Sequence, residues 1–302
     1  MIKRDLVRSV VRPVRKTVLG QYYLSDVFGD DLISAFSLVD LGNQRGSVDS
    51  AFNPVVRQRR LSDSATLSFP APIGDDLLSW LAGSNSTTPK LYDQSGSDND
   101  AVKVSNNNEP ALVTSGAIIL DSLGNKALSF DGTDDYFQTA AGSLLGGNLT
   151  LQIVASFSDS QNDVFEFGGW ADNGGWILMI RDTGVLFRSK QSGTANEYYG
   201  VSSANDYVDG TPHLFTLIIK DFTTSPSISL FVDGVEISLS VDTAKTGTYG
   251  ESQTNGAIGK RRTGGDVAGM KLSCLNVWDA DKSTQRADIE SLISTWIKTP
   301  IS

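Results

Sequence analysis

Leu91-Tyr92-Asp93-Gln94-Ser95-Gly96-Ser97-Asp98-Asn99-Asp100 is the stretch on which the reading of this chain turns. An apolar, aromatic strand end runs there into a turn made of Asp, Asn, Ser and Gly, the residues whose short side chains hydrogen-bond their own backbone. About thirty residues on, Leu128-Ser129-Phe130-Asp131-Gly132-Thr133-Asp134-Asp135-Tyr136-Phe137 repeats the arrangement. Two such units predict a β-sandwich whose loops carry the specific chemistry.

Working outward, short β-prone runs bounded by Gly, Asn, Asp or Pro recur after residue 117. They are Ile118 to Leu120, Ala127 to Phe130, Leu149 to Phe157, Val164 to Phe167, Trp176 to Ile180, Leu186 to Ser189, Leu214 to Lys220, Ser227 to Val232, Glu236 to Val241 and Lys271 to Trp278. Asp233-Gly234 marks a two-residue hairpin turn. Before them, Asn53 to Asp63 reads as a strand with a basic exposed face, and Asp30 to Leu38 and Asp75 to Gly83 as short helices, the second opening on a capping carboxylate. Ser283 to Ile297 places Ile289, Leu292, Ile293, Trp296 and Ile297 on one helical face. The expected division is a basic arm over 1–24 and a sandwich over 25–302, helical and loop-rich to 115 and regular from 116.

The chain has 302 residues, 39% of them hydrophobic, long enough for one large core. No apolar run reaches the roughly 18 residues of a membrane span. One cysteine, Cys274, and one histidine, His213, argue against a disulfide framework and against Cys/His metal or nucleophile chemistry. Oxygen-ligated calcium remains open, with Asp131, Asp134 and Asp135 as its donors; no other cofactor is expected. Gly256 to Arg261 lacks the pattern of a phosphate loop, and the Asn85 and Asn148 triplets lack an export signal beside them.

Charge is divided unevenly. The first twenty residues hold Lys3, Arg4, Arg8, Arg12, Arg15 and Lys16 against Asp5 alone, a balance of +5 in a chain of net −10, so the rest carries −15. Arg8, Arg12 and Arg15 interrupt any signal-peptide core. Ile2, Leu6, Val10, Val14 and Val18 recur every fourth residue, with Pro13 bending the path. The segment reads either as a solvated terminus or as an anchor ordering on a partner, its charges outside and its apolar stripe inserted. Nucleic acid is a poor partner, because the acidic body would repel phosphates.

Ala35-Phe36-Ser37-Leu38, Val56 to Asp63, the Tyr92-Asp93-Gln94-Ser95-Gly96 run and Phe130-Asp131-Gly132 together resemble the catalytic domain of the arabinofuranosidase B glycoside hydrolases, a concanavalin A-like jelly roll. Pro212 to Lys220 with Ile228 to Gly234 is similar to laminin G-type sandwiches. Modules of this kind also occur in tailed-bacteriophage virion proteins, so the resemblance implies a virion component meeting other virion proteins through its arm and cell-surface or environmental glycans through its loops, alone or as an oligomer. It implies, as the alternative, a retaining glycosidase with Asp182 at the nucleophile's position and Asp266, in Gly264-Gly265-Asp266, at the acid/base's. The family's Glu is Asp here, one methylene shorter, and its adjacent-cysteine sugar platform falls on Asp163-Val164, so it is missing. At both positions the residues also read as ordinary turn carboxylates. Trp170, Tyr198 and Tyr199 are the aromatic candidates for stacking on a sugar ring, whereas Trp176 and Trp278 are expected in the core.

Overall fold

The structure is a computed structural model and describes residues 31–38, 54–103, 108–139, 148–167, 176–190, 197–202, 206–220, 227–241, 256–260 and 266–299. The basic arm lies outside them. In chain order the strands are β1 (Leu32–Ser37), β2 (Pro54–Arg60), β3 (Thr66–Pro70), β4 (Ser86–Leu91), β5 (Ala101–Val102), β6 (Ala111–Thr114), β7 (Ala117–Ile118), β8 (Leu128–Asp131), β9 (Phe137–Thr139) and β10 (Leu149–Phe157). They continue as β11 (Gln161–Phe167), β12 (Trp176–Arg181), β13 (Gly184–Lys190), β14 (Glu197–Ser202), β15 (His213–Lys220), β16 (Ser227–Val232), β17 (Val235–Ile237), β18 (Leu239–Val241), β19 (Gly256–Ile258) and β20 (Gly269–Trp278). Two helices, α1 (Asp75–Leu81) and α2 (Arg286–Trp296), complete the described elements.

The antiparallel pairings resolve into two layers. In one, β20 pairs with β8 through its first half and β1 through its second, and β10, β15, β16 and β17 follow on its other side. The other runs β9, β19, β11, β12, β13, β14, β18. β4 joins them, because it pairs with β2 along one edge and divides on the other between β6, which leads to β8, and β5, which leads to β9. Pro89 sits at the fork, where a residue without an N–H leaves the ladder least to lose.

Every residue of β10 is buried, as a central strand covered on both faces requires. Leu151, Ile153 and Phe157 point into the inter-layer core with Phe165, Trp176, Phe187 and Phe215. Phe157 meets Phe215 edge-on at 5.9 Å, and Trp176 lies between Phe165 at 5.5 Å and Phe187 at 5.8 Å. On the outer face of the first layer, Val154, Leu214, Cys274 and Trp278 pack under Ile289, Ile293 and Ile297 of the α2 segment. Trp176 and Trp278 are core residues, as expected. Burial pushes the Cys274 thiol up to about 12, so it is an inert core side chain.

The all-β sandwich expected from the sequence is what the chain forms, with two local corrections. Asp30 to Leu38 does not give a helix: Leu32–Ser37 is a strand registered against β20 from Trp278 to Cys274. Its apolar residues fit a half-turn of helix equally well, and five of six strand positions become buried once both faces are covered. Asp75–Leu81 is a helix, but its N-cap is Gly74 with no side-chain cap bond; Asp75 and Asp76 occupy the first turn, where their charge meets the helix dipole. Asp233 and Gly234 both have positive φ, 53° and 83°, as a tight hairpin between β16 and β17 demands.

Candidate functional site

The Tyr92 to Asp100 loop is a clamp. Asp93 is fully buried. Its Oδ1 accepts the Ala35 N–H at 2.9 Å and the Ser95 N–H at 2.9 Å, and its Oδ2 accepts the Ser95 hydroxyl at 2.7 Å and the Asn99 N–H at 3.0 Å. The Gln94 amide donates to the Ser37 carbonyl at 2.9 Å, and the Asn99 amide to the Ile33 carbonyl at 2.6 Å. The loop therefore replaces a missing strand along the free edge of β1. Burial raises the Asp93 pKa against the pull of these donors. Its polar residues are consumed by the fold, which corrects the expectation that this loop carries the chemistry.

The second loop, between β8 and β9, gathers Asp131, Asp134 and Asp135, whose carboxylates each offer an oxygen within 4.8 Å of the others. Asp131 Oδ1 caps the turn by accepting the Thr133 and Asp134 N–H groups at 2.8 and 3.2 Å, and Asp135 Oδ2 accepts the Asp131 N–H at 3.0 Å. Burial, then the charge of Asp131, pushes Asp135 up to about 6. Three carboxylates supply part of the six to eight oxygens calcium takes. Beside them the Lys103 ammonium lies 3.1 Å from the Tyr136 ring centre, with Lys260 at 5.2 Å, and burial followed by the Lys260 charge lowers Lys103 to about 8.

A third cluster forms at one end of the second layer. Arg181, the last residue of β12, donates from Nη2 to Asp163 Oδ1 at 3.1 Å and from Nη1 to Asp266 Oδ2 at 2.9 Å. The Asp266 N–H in turn donates to Asp163 Oδ2 at 3.0 Å. Asp163 is fully buried, while the Asp266 side chain is 42% exposed, so the chain of contacts runs from the interior to the surface. A β-bulge in β11, where Asp163 pairs with Met179 and Phe165 with Leu178, turns Asp163 to the face away from the aromatic core. Ile177 and Met179 are buried on that face beside Leu186, and Glu166, 1% exposed, stands opposite Ile177 in register.

Of the two catalytic candidates, Asp266 belongs to this cluster and Asp182 is its exposed sequence neighbour, in the turn from Arg181 to Gly184, its N–H donating to the Ser160 carbonyl at 3.3 Å. The position of the missing cysteine platform is thus held by a buried carboxylate that anchors Arg181. Tyr198 and Tyr199 lie in β14 opposite Ser189 and Arg188. Trp170 lies outside the described residues, as do Gly264 and Gly265. Arg181, Asp163 and Glu166 are missed by motif reading; their only signal is charge beside the apolar residues of β11 and at the end of the apolar run of β12.

No protein-family profile matches the chain, and no curated protein matches it in sequence. Solved structures do match in shape. A glycoside hydrolase family 54 α-L-arabinofuranosidase soaked with a cyclic sulfate inhibitor superposes with a TM-score of 0.57 at 15% identity, over 87% of this chain and 63% of that one. An arabinofuranosidase complexed with arabinofuranosyl-α-1,2-xylobiose gives 0.55 at 14% identity, over 87% and 62%. The likeness is one of fold: an all-β sandwich shared with these enzymes, of whose length the chain spans about three-fifths.

Proposed function

We propose that the chain is a glycan-facing sandwich module of a larger assembly, a tail, fibre or capsid-decorating component of a phage virion, held there by the basic arm. The observation that carries the glycan reading is the Asp163–Arg181–Asp266 relay. A guanidinium fixed by a buried carboxylate holds a half-exposed carboxylate in place beside it, and that carboxylate accepts hydroxyl hydrogen bonds. Rigid, paired polar groups at the end of a sheet are what a sugar's vicinal hydroxyls require. The fold shared with arabinofuranosidases supports the same class of ligand.

Binding is favoured over hydrolysis on geometry. A retaining glycosidase needs two carboxyl groups roughly 5 to 5.5 Å apart, one of them able to give up and regain a proton. Asp266 is engaged by Arg181 instead, and Asp182 stands in an exposed turn. Calorimetric titration with arabinofuranosyl oligosaccharides and host-surface polysaccharides tests this reading: Arg181→Ala and Asp266→Ala are expected to weaken binding at least about tenfold, the loss of one charge-assisted hydrogen bond. Turnover of 4-nitrophenyl α-L-arabinofuranoside that disappears in Asp182→Asn or Asp266→Asn would replace it with the hydrolase.

The virion reading rests on the arm. Its +5 balance beside a −15 body and its fourfold apolar spacing suit docking on another protein. Deleting residues 1 to 20 is expected to abolish incorporation while the body stays folded, read by co-purification with particles; normal occupancy without the arm would refute it.

A further inference from the structure

On the other layer, where α2 ends beside the first strand, there is a cleft of about 290 Å³. Trp296, Lys126, Lys298, Ser37, Ser273 and Thr295 are among its walls. Trp296 is half-buried; it packs on the α2 cluster and is also among the residues that line the cleft. Asn125 holds the rim closed: its side-chain amide donates to the Lys298 carbonyl at 2.8 Å and its Oδ1 accepts the Lys298 N–H at 2.8 Å. The Lys298 ammonium lies over Gly124, a glycine at φ +84°, 3.7 Å from where a Cβ would stand.

Two lysines line this one cleft. The chain is acidic overall, and Lys90, Lys220 and Lys282 are each matched to a carboxylate, whereas Lys103, Lys260 and Lys271, elsewhere in the fold, are not matched to one among the described residues. Neither Lys126 nor Lys298 has a carboxylate partner among the described residues. Lys126 spends one of its three donors on the Ile73 carbonyl, leaving two. Asp121, behind the same loop, does not border the cleft and is occupied by the Leu123 and Asn125 N–H groups, the Asn125 amide and the Ser273 hydroxyl. A helix C-terminus attracts one nearby cation through its dipole, but that attraction supplies neither the indole nor the second ammonium.

We propose that this cleft is a second binding site, for a sugar residue bearing an acidic group, with the ring against Trp296 and the anion between Lys126 and Lys298. The combination of an apolar ring face with two cations selects an anionic sugar over a free anion or a neutral sugar. The site is separate from the Arg181 relay, so the two readings fail independently.

The test is calorimetric titration of the full chain with a galacturonate trimer, with maltotriose and inorganic phosphate as comparison ligands. Trimer binding is expected to exceed that of both, to weaken with added salt, to fall at least about tenfold in Lys126→Gln/Lys298→Gln, and to persist in Arg181→Ala. Trp296→Phe, which keeps a stacking face, should retain most of the affinity and remove the accompanying change in tryptophan emission. Unchanged affinity in the double lysine variant, phosphate or maltotriose binding as tightly as the trimer, or loss of trimer binding in Arg181→Ala would each overturn the assignment; Lys298→Gln alone, at an exposed position, guards against misfolding of the double variant.

Discussion

Replacing Asp93 by Ala removes the acceptor for four donors at once. One of them, the Ala35 N–H, belongs to a fully buried residue with no solvent to turn to, and a stranded buried donor costs about 1–3 kcal/mol. Ser95 and Asn99 are half-buried, so their groups recover part of the loss from water. The lost charge-assisted bonds and the stranded donor together make about 3–5 kcal/mol the expected cost. The cost of burying the carboxylate, evident in its raised pKa, is relieved in the variant and sets the upper end. Asp93→Asn keeps an oxygen for Ala35 and Ser95 but turns an NH2 toward the Asn99 N–H, so about 1–2 kcal/mol is expected. Urea unfolding followed by far-ultraviolet circular dichroism reads both. A difference under about 1 kcal/mol for Asp93→Ala, together with lost ligand binding, would show that the loop is a recognition element and that the clamp account is wrong.

His213 is held between Asp233, at 2.6 Å from Nδ1, and Asp209, at 3.5 Å from Nε2; burial opposes its charge, but the two carboxylates outweigh burial and raise its pKa. A raised histidine stabilises the fold at low pH and loses that contribution as pH rises through the folded value, so the melting temperature should decline from pH 6.5 upward and His213→Gln should flatten that decline; an identical slope in the variant refutes the pairing. Asp135, pushed up to about 6, likewise contributes stability below the ordinary carboxylate range that is lost as pH rises through 6. Asp135→Asn, which keeps an acceptor for the Asp131 N–H, should therefore raise the melting temperature at pH 8 and gain little at pH 4, and equal shifts at both would refute it. Ile293→Ala, at a fully buried position, should cost about 2–5 kcal/mol in urea unfolding, whereas Trp296→Ala, at a half-buried one, should cost about 1–2 kcal/mol; the reverse order would mean that α2 docks through its indole.

The sandwich was legible because its strands alternate with turn chemistry that has few other uses: Asp233-Gly234 admits hardly anything but a hairpin, and the β10 run Leu149 to Phe157 is apolar at every second position, with Thr150, Gln152, Val154 and Ser156 between. The first strand was not, since Leu32-Ile33-Ser34-Ala35-Phe36-Ser37 fits a helical face as well as a pleat, and only its partner in β20, more than two hundred residues away, settles which. Strands such as Thr66–Pro70 and Gly256–Ile258 escape for the same reason, their pattern being too short to outweigh the residues around them. Of the candidate site, Asp266 stood in a recognisable turn, yet its role depends on Arg181 and Asp163, 85 and 103 residues distant, which no local motif connects to it. The clamp of Asp93 shows the converse hazard. A loop dense in Asp, Asn and Ser looks like chemistry from sequence because those residues serve ligands and backbone equally well; which one they serve is decided by whether the fold leaves a strand edge unpaired nearby. Here β1 does, and the loop closes on it. Lys126 and Lys298 carry the opposite implication, because neither has a carboxylate partner among the described residues and both line one cleft. Polar groups consumed by the fold in the motif-rich loop, and two cations without a matching anion beside Trp296, separate a structural element from a surface that can take a ligand.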